Sequence, residues 1–165
     1  MKGYVCEPLS NQHDRMQFDC GVSVLNDYLA KYAKQDVKRK ASAVFVLVDR
    51  AEPKRVIGFY TLCASSLALA ELPDEITRKL PRYPEIPAIL VGRLARDVNH
   101  PGVGALLLSD AITRCVRVAS EIAASLIVVD SKGDTATSFY EKFGFISLPK
   151  LPDRMFLSMQ TAEKL

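Results

Sequence analysis

The sequence predicts a single α/β domain over residues 1–165, with a mixed sheet and flanking helices. An apolar run, Ala88–Ala95, ends in a Pro- and Gly-rich turn, Asn99–Gly104, that opens a strongly patterned helix. The short run Leu126–Val129 is wholly apolar, which is typical of a strand covered on both faces. Strand and helix signals elsewhere alternate, and the predicted order is β-α-ββ-(α)-β-α-β-α-β-β.

The N-terminal part is predicted to form a strand, a helix and a hairpin. Gly3–Leu9 is the strand, and Ser23 is a suitable N-cap for the helix that follows. Ala43–Val48 and Arg55–Leu62 flank a polar turn, which predicts an antiparallel hairpin. The apolar stripe predicted for the first helix comprises Leu25, Tyr28, Leu29 and Tyr32.

The later elements are bounded by prolines and glycines. Glu71–Leu80 is a candidate short helix, and the three prolines of Pro81–Pro87 predict an irregular loop there. Thr135–Phe143 is the last predicted helix, and Gly144 ends it as a C-terminal cap. Two strands complete the predicted sheet, Phe145–Leu148 and Met155–Met159.

The turn before the central helix suits a phosphate group. The first N–H groups of a helix lack intrahelical partners and its dipole is positive there, while Gly102 and Gly104 permit close approach. A plain tight connection is the alternative, since the Walker lysine and the full dinucleotide fingerprint are absent. The face of this helix expected to be buried comprises Leu108, Ala111, Ile112, Cys115, Ala119 and Ile122.

The composition is that of an ordinary globular chain, with 48% hydrophobic and 25% charged residues. No apolar run is long enough to span a membrane and the first residues lack a signal-peptide region, so we expect a cytoplasmic protein. The four cysteines are scattered and only two histidines are present, so we expect reduced thiols and no metal site.

The net charge of +3 is mild, but basic residues gather in three groups. Such groups are either solvated helix faces or the footprint of a polyanion. The groups are Lys31, Lys34, Lys38, Arg39 and Lys40, then Arg78, Lys79 and Arg82, and finally Arg93 with Arg96.

Several segments, in this order, resemble the GNAT N-acetyltransferase superfamily. The resemblance is closest to the toxin-like acetyltransferases of bacterial toxin–antitoxin pairs, and it covers most of the chain. One departure is that Asn99–Gly104 lacks the leading Arg or Gln of the usual loop and is about two residues shorter. The segments that carry the resemblance are Phe18–Gly21 with Leu25–Leu29, Val56–Leu62, Pro87–Ala95 and Ala136–Phe145.

The resemblance implies a GNAT-like, mostly antiparallel mixed sheet and acetyl-CoA as cosubstrate. It also implies that Tyr140 returns a proton to the leaving sulfur, because a phenol (pKa ~10) can protonate a thiolate (~8.5). Asp97 and Glu71 are possible general bases, but we expect each to be a surface carboxylate. The residues implied to hold acetyl-CoA are Leu94, Ala95, Arg96, Gly102, Val103, Gly104 and Ala105.

The implied substrate is the α-amino group of aminoacyl-tRNA, whose acetylation inhibits translation. The implied partners are a small antitoxin of the ribbon-helix-helix type and a second copy of the chain in a homodimer. Two alternatives stay open: an N-acetyltransferase for a small-molecule or protein amine, and a catalytically degenerate GNAT fold used for binding. The residues implied to contact tRNA phosphates are Arg93, Lys34, Lys38 and Arg78.

Overall fold

The computed structural model describes residues 3–165 and confirms the predicted α/β class with a mixed sheet. The strands are β1 Tyr4–Pro8, β2 Ala43–Asp49, β3 Gly58–Ala68, β4 Glu85–Arg96, β5 Leu126–Asp130, β6 Ile146–Ser147 and β7 Arg154–Ser158. The α-helices are α1 Ser23–Asp27, α2 Ala33–Lys38, α3 Asp74–Thr77, α4 Val103–Ala119, α5 Asp134–Glu141 and α6 Met159–Ala162. A π-helical turn, Tyr28–Tyr32, joins α1 to α2, and a 3₁₀ turn, Leu69–Glu71, precedes α3.

The seven strands follow the order β1-β2-β3-β4-β5-β7-β6. The pairs β1–β2, β2–β3, β5–β7 and β6–β7 are antiparallel, so the predicted β2–β3 hairpin is confirmed. The pair β4–β5 is parallel, with Ala88–Val91 opposite Leu126–Val129. Among the described residues, no helix is both long and apolar enough to cross a membrane.

The described chain divides into two compact units, each with its own core. The first unit runs to Cys63 and resumes over Gly92–Ala111. Its core packs the inner faces of β2 and β3 against Tyr28, Leu29 and Ala33 of the first helical segment. A Cβ on Gly58 would lie 2.7 Å from Cδ1 of Leu107, so glycine at this position lets α4 approach β3 closely.

The second unit comprises Ala64–Val91 and Ile112–Leu165. All four residues of Leu126–Val129 are fully buried, which confirms the prediction of a strand covered on both faces. Gly144 has φ of +96° just after α5, so the predicted glycine cap is confirmed. The core cluster of this unit comprises Leu67, Leu72, Ile86, Ala88, Leu126, Val128, Leu148 and Phe156.

The first helical segment differs from its prediction in two ways. Val22, not Ser23, is the N-cap of α1, and its carbonyl accepts the N–H groups of Leu25 and Asn26. The apolar stripe holds Tyr28 but not Tyr32, which is 55% exposed. The π-helical turn explains this, because its extra residue per turn rotates Tyr32 off the buried face and brings Ala33 onto it.

Element boundaries account for the remaining corrections. The prediction of a loop over Pro81–Pro87 is wrong at its end, because β4 begins at Glu85. Pro87 comes before the first residue pair of the ladder between β4 and β5, so its missing N–H removes no hydrogen bond from that ladder. Strand β3 begins three residues later than predicted, and only Asp74–Thr77 of the next predicted helix is α-helical. Helix α4 ends at Ala119, so Ile122 lies beyond it, 76% exposed, and its predicted burial is wrong. Helix α6 has no counterpart in the prediction.

Candidate functional site

A cleft of about 340 Å³ lies beside the end of β4 in the first unit. Most of its lining is apolar, and Arg96 supplies the one cationic side chain of that lining. This combination suits a chain-like ligand that has an apolar arm and an anionic group. All three residues predicted on β4 line the cleft, whose lining comprises Cys20, Val22, Leu25, Leu94, Ala95, Arg96 and Val98.

The turn after β4 brings the predicted glycine residues to the start of α4. Gly102 has φ of +90°, and a Cβ there would meet nothing within 4 Å, so open space lies beside this backbone. Val103, Gly104 and Ala105 form the first turn of α4, where N–H groups lack intrahelical acceptors. The Nδ1 atom of His100, in the same turn, is buried and lies 3.7 Å from Oδ1 of Asp97, too far for a hydrogen bond. The N–H groups at the start of α4 fit an anionic ligand such as a pyrophosphate.

A buried carboxylate fixes the beginning of this turn. Asp97 is only 2% exposed, so the expectation of a surface carboxylate is wrong. Its Oδ1 accepts the N–H of Asn99 at 2.9 Å, and its Oδ2 accepts the N–H of Asp19 at 3.2 Å. The N–H of Val98 donates in turn to the carbonyl of Asp19 at 2.8 Å. Asp97 therefore ties the segment that contains Cys20 and Val22 to the end of β4.

The opposite segment of the cleft has its own hydrogen-bond network. Oδ1 of Asp19 accepts the N–H of Gly21 at 2.8 Å and Nδ2 of Asn26 at 3.0 Å, and these bonds lower the pKa of Asp19. The N–H of Cys20 donates to Oδ1 of Asn26 at 2.9 Å. Burial is the main cause that raises the pKa of the Cys20 thiol, so the cleft presents a neutral sulfur.

Tyr140 lies at the end of α5 in the second unit and is 6% exposed. The ring of Phe139 lies 5.3 Å from its ring and that of Phe145 lies 5.6 Å away, both edge-on. Burial, and secondarily the negative charge of Asp130, raise the pKa of Tyr140 to about 12. Asp130 is itself bound by Nε of Arg154 at 3.0 Å. Tyr140 is therefore a protonated donor throughout the neutral pH range.

The chain is similar over at least 98% of its length to two proteins that are named as toxins. It is 36% identical over 168 residues to a tRNA-acetylating toxin of Mycobacterium tuberculosis, covering 100% of this chain and 98% of the relative. It is 31% identical over 171 residues to the probable toxin TacT of Sinorhizobium fredii, covering 98% of this chain and 94% of the relative. The chain belongs to the GNAT-like toxin acetyltransferases of toxin–antitoxin systems. No protein-family model matches it.

Solved structures of the toxin acetyltransferase AtaT have the same fold. The complex of AtaT with acetyl-methionyl-tRNAfMet has a TM-score of 0.89 and 28% identity, covering 98% of both chains. A tyrosine-to-phenylalanine variant of AtaT, bound to the C-terminus of the antitoxin AtaR and to acetyl-CoA, has a TM-score of 0.82 and 25% identity, covering 99% and 98%. The chain is accordingly an acetyltransferase.

The basic residues predicted to contact tRNA lie in different settings within this GNAT-like toxin. The guanidinium carbon of Arg93 lies 3.6 Å from the centre of the Tyr28 ring, so one face of that cation is covered. Lys34 and Lys38 are exposed on α2 and line one cleft in the first unit. Arg78 follows α3 in the second unit and is exposed.

Two features of this GNAT-like toxin were missed by the sequence prediction. The anchoring role of Asp97 was missed, although an aspartate two residues before the turn residue Asn99 is a recognisable signal of an Asx turn. Arg15, which lines the cleft with Lys34 and Lys38, has no signal in the sequence because its partners are main-chain carbonyls of the π-helical turn. No cluster of side chains suited to a metal ion occurs within residues 3–165.

Proposed function

We propose that this chain transfers the acetyl group of acetyl-CoA to the α-amino group of an aminoacyl-tRNA and thereby inhibits translation. The observation that carries the proposal is the match over the full chain, at 36% identity, to a tRNA-acetylating toxin. The complex of AtaT with an acetylated initiator tRNA supports the same substrate class. An N-acetylated aminoacyl-tRNA has no free amine for peptide-bond formation, which accounts for the toxic effect.

The cleft beside β4 would hold acetyl-CoA. Its apolar lining suits the acetyl-pantetheine arm, and Arg96 with the first N–H groups of α4 suits the pyrophosphate. Gly102 leaves the backbone of the turn open to a ligand. Pro101 removes one donor from the loop.

Tyr140 would act as the general acid. When the amine attacks the thioester carbon, the C–S bond breaks and the sulfur takes the bonding electron pair. The hydroxyl of Tyr140 donates its proton to that sulfur, and the proton lost by the new amide nitrogen restores the phenol. Because its pKa of about 12 exceeds that of a thiol, ~8.5, the tyrosinate is short-lived and Tyr140 ends the cycle protonated.

Asp97 and Asp130 are both engaged by other groups of the chain and would not serve as a general base for the amine. Asp97 is occupied by two backbone N–H groups, and Asp130 is paired with Arg154. An α-amino group with a pKa near ~8 is partly neutral at physiological pH, so it attacks with little help from the protein. An α-amino substrate would therefore need less help from the protein than a lysine side chain does.

The partners of the proposed toxin follow from its family. A small antitoxin of the ribbon-helix-helix type would neutralise it. The complex of AtaT with the C-terminus of the antitoxin AtaR supports an antitoxin partner, without regard to its type. A homodimer would be its own assembly, and the cytoplasm, where charged tRNA is abundant, its place of action. Arg93 and Arg78 would contribute positive charge toward the tRNA.

The test is acetylation of charged tRNAs by the purified chain in the presence of labelled acetyl-CoA. We expect label on at least one aminoacyl-tRNA and none on uncharged tRNA. Tyr140→Phe should reduce turnover about 10²–10⁴-fold with an unchanged Kd for acetyl-CoA. Tyr83→Phe removes the same hydroxyl from a residue 64% exposed and is the matched control. Labelling of lysine-containing peptides but of no charged tRNA would contradict the proposal.

A further inference from the structure

Ser131 is a buried polar residue in the loop that joins β5 to α5, the helix that carries Tyr140, and it is 1% exposed. Its Oγ atom lies 2.7 Å from Oγ1 of Thr137 on α5. Oγ1 of Thr137 also lies 3.1 Å from the carbonyl oxygen of Gly133. Because a carbonyl only accepts, Thr137 donates its proton to Gly133 and Ser131 donates to Thr137. Two hydrogen bonds in series thus join the loop to the middle of the helix.

The strand side of this loop is anchored to β7 and to the residue before β7. The N–H of Ser131 donates to the carbonyl of Asp153 at 2.6 Å. The carboxylate of Asp130, one residue earlier, accepts from Nε of Arg154 at 3.0 Å, and the two residues are opposite each other in the ladder between β5 and β7. The hydroxyl of Ser131 is therefore held at a fixed place from which it can restrain another element.

The helix side of the loop begins at a permissive residue. Gly133 is the N-cap of α5 and gives the helix no side-chain hydrogen bond. Its φ is +89°, and a Cβ there would meet nothing within 4 Å. Helix α5 has 8 residues, so it is only about 12 Å long. A short helix that begins at such a glycine can rotate about its axis. The bond between Ser131 and Thr137 opposes that rotation.

Rotation of α5 matters because of the place of Tyr140 on it. Thr137 and Tyr140 are three residues apart, so their side chains are neighbours on one face of the helix. A tyrosine hydroxyl lies roughly 8 Å from the axis of its helix, so a rotation by about 10° moves it by about 1.4 Å. A misplacement of about 1 Å can lower a reaction rate on the order of 10²-fold. A small rotation would therefore suffice to impair a proton donor.

We propose that Ser131 and Thr137 are positioning residues that hold α5 at the rotation required for proton donation by Tyr140. The inference rests on the proposed function, because that function makes the Tyr140 hydroxyl the general acid. Neither positioning residue transfers a proton itself. The rings of Phe139 and Phe145 confine the Tyr140 ring edge-on, so the rotation of the helix sets the direction of the hydroxyl.

The experiment measures kcat and KM for acetylation of aminoacyl-tRNA, with the Kd for acetyl-CoA measured separately. Thr137→Val removes one hydroxyl and keeps the shape and the helix propensity of the side chain, and Ser131→Ala removes the other hydroxyl. Each should lower kcat roughly 10-fold and leave KM and Kd within about twofold of wild type. Thr137→Ser keeps the hydroxyl and should retain the wild-type kcat. Thr135→Val, the same change at an exposed position of α5, is the matched control and should also retain it.

A double variant separates positioning from a general loss of structure. Tyr140→Phe has no hydroxyl to misplace, so the addition of Thr137→Val should lower its kcat no further. A loss of about 10-fold in that background would overturn the proposal, because the effect would then not act through Tyr140. A kcat of Thr137→Val equal to that of Thr135→Val would overturn it as well. If Ser131→Ala does not fold, Thr137→Val carries the test, since Thr137 is only partly buried.

The positioning role and the proposed function fail in different ways. Fluorine NMR of the chain labelled with fluorotyrosine reports on the surroundings of Tyr140 without any activity, and Tyr140→Phe identifies its signal. Thr137→Val should shift or broaden this signal, and Thr135→Val should not. If charged tRNA is acetylated but neither the signal nor kcat responds to Thr137→Val, the positioning role is wrong and the function stands. If no charged tRNA is acetylated, the function is wrong; an unchanged signal would then overturn the positioning too, and a shifted one would support it.

Discussion

Replacement of Asp97 by asparagine tests whether one buried carboxylate holds together the cleft beside β4, which we propose binds acetyl-CoA. Asparagine keeps the shape but turns an NH₂ group toward the N–H of either Asp19 or Asn99, so one bond is lost and two donors face each other. A hydrogen bond to a charged group contributes about 1.5–3 kcal/mol. The free energy of unfolding should fall by about 2–3 kcal/mol, and Tm by roughly 5–10 °C for a chain of this size.

Acetyl-CoA binding should weaken for the same reason. If binding must restore the native arrangement of the turn and of the segment with Cys20, the cost of that step is subtracted from the binding free energy. A cost of about 1.4 kcal/mol raises the Kd tenfold. Calorimetric titration with acetyl-CoA and thermal unfolding of the same samples measure the two effects separately.

The control for this experiment is Asp110→Asn. Asp110 accepts the hydroxyl of Tyr60 at 2.6 Å on α4 and does not belong to the lining of the cleft. It should lose stability to a similar degree and bind acetyl-CoA with an unchanged Kd. A Kd of Asp97→Asn within about twofold of wild type, or equal weakening in both variants, would refute the role assigned to Asp97.

Three further predictions concern stability. Tyr140 has a pKa of about 12 in the folded chain and ~10 in the unfolded chain, so the free energy of unfolding falls as the pH rises through this window. In urea unfolding, Tyr140→Phe should remove about 2–3 kcal/mol of that fall, and the same pH dependence in the variant and the wild type would contradict the burial of Tyr140. Gly102→Ala should cost about 1–2 kcal/mol in the same assay, because φ is +90° with open space around it; no cost would mean that the turn readily changes conformation. Leu107→Ala should lower the free energy of unfolding by about 2–5 kcal/mol and Ile122→Ser by less than about 0.5, because Leu107 is fully buried and Ile122 is exposed beyond the end of α4. A large loss of stability in Ile122→Ser would mean that the surface around Ile122 is covered in solution.

Patterns that depend on local burial were predictable from the sequence. The run Leu126–Val129 is apolar at every position because both of its faces are covered. The central strand, turn and helix were predictable because glycines mark the turn and the helix has one apolar face. The ordered set of family segments added the fold, which no single segment could specify.

Features that depend on tertiary partners were not predictable. The residues around Asp97 do not indicate that the main-chain N–H of Asp19, almost eighty residues earlier, donates to its carboxylate. A surface carboxylate was therefore the reasonable expectation. The π-helical turn was missed because one extra residue per turn leaves the apolar pattern of a regular helix nearly intact up to Tyr32. Arg15 was missed for the same reason, since only the π-helical turn creates its acceptors.

The ionisation of the attacking amine bears on substrate choice. At pH 7.5 about a quarter of α-amino groups with a pKa near 8 are neutral, against about 0.1% of lysine side chains at 10.4. Ionisation alone therefore favours an α-amino nucleophile by roughly 200-fold, before any contact with the substrate. An added base would raise the rate on lysine more than on an aminoacyl ester and so reduce this preference. Under the proposed function, in which Tyr140 supplies the acid and the amine relies on its own pKa, this ratio alone would favour an aminoacyl ester over a lysine side chain.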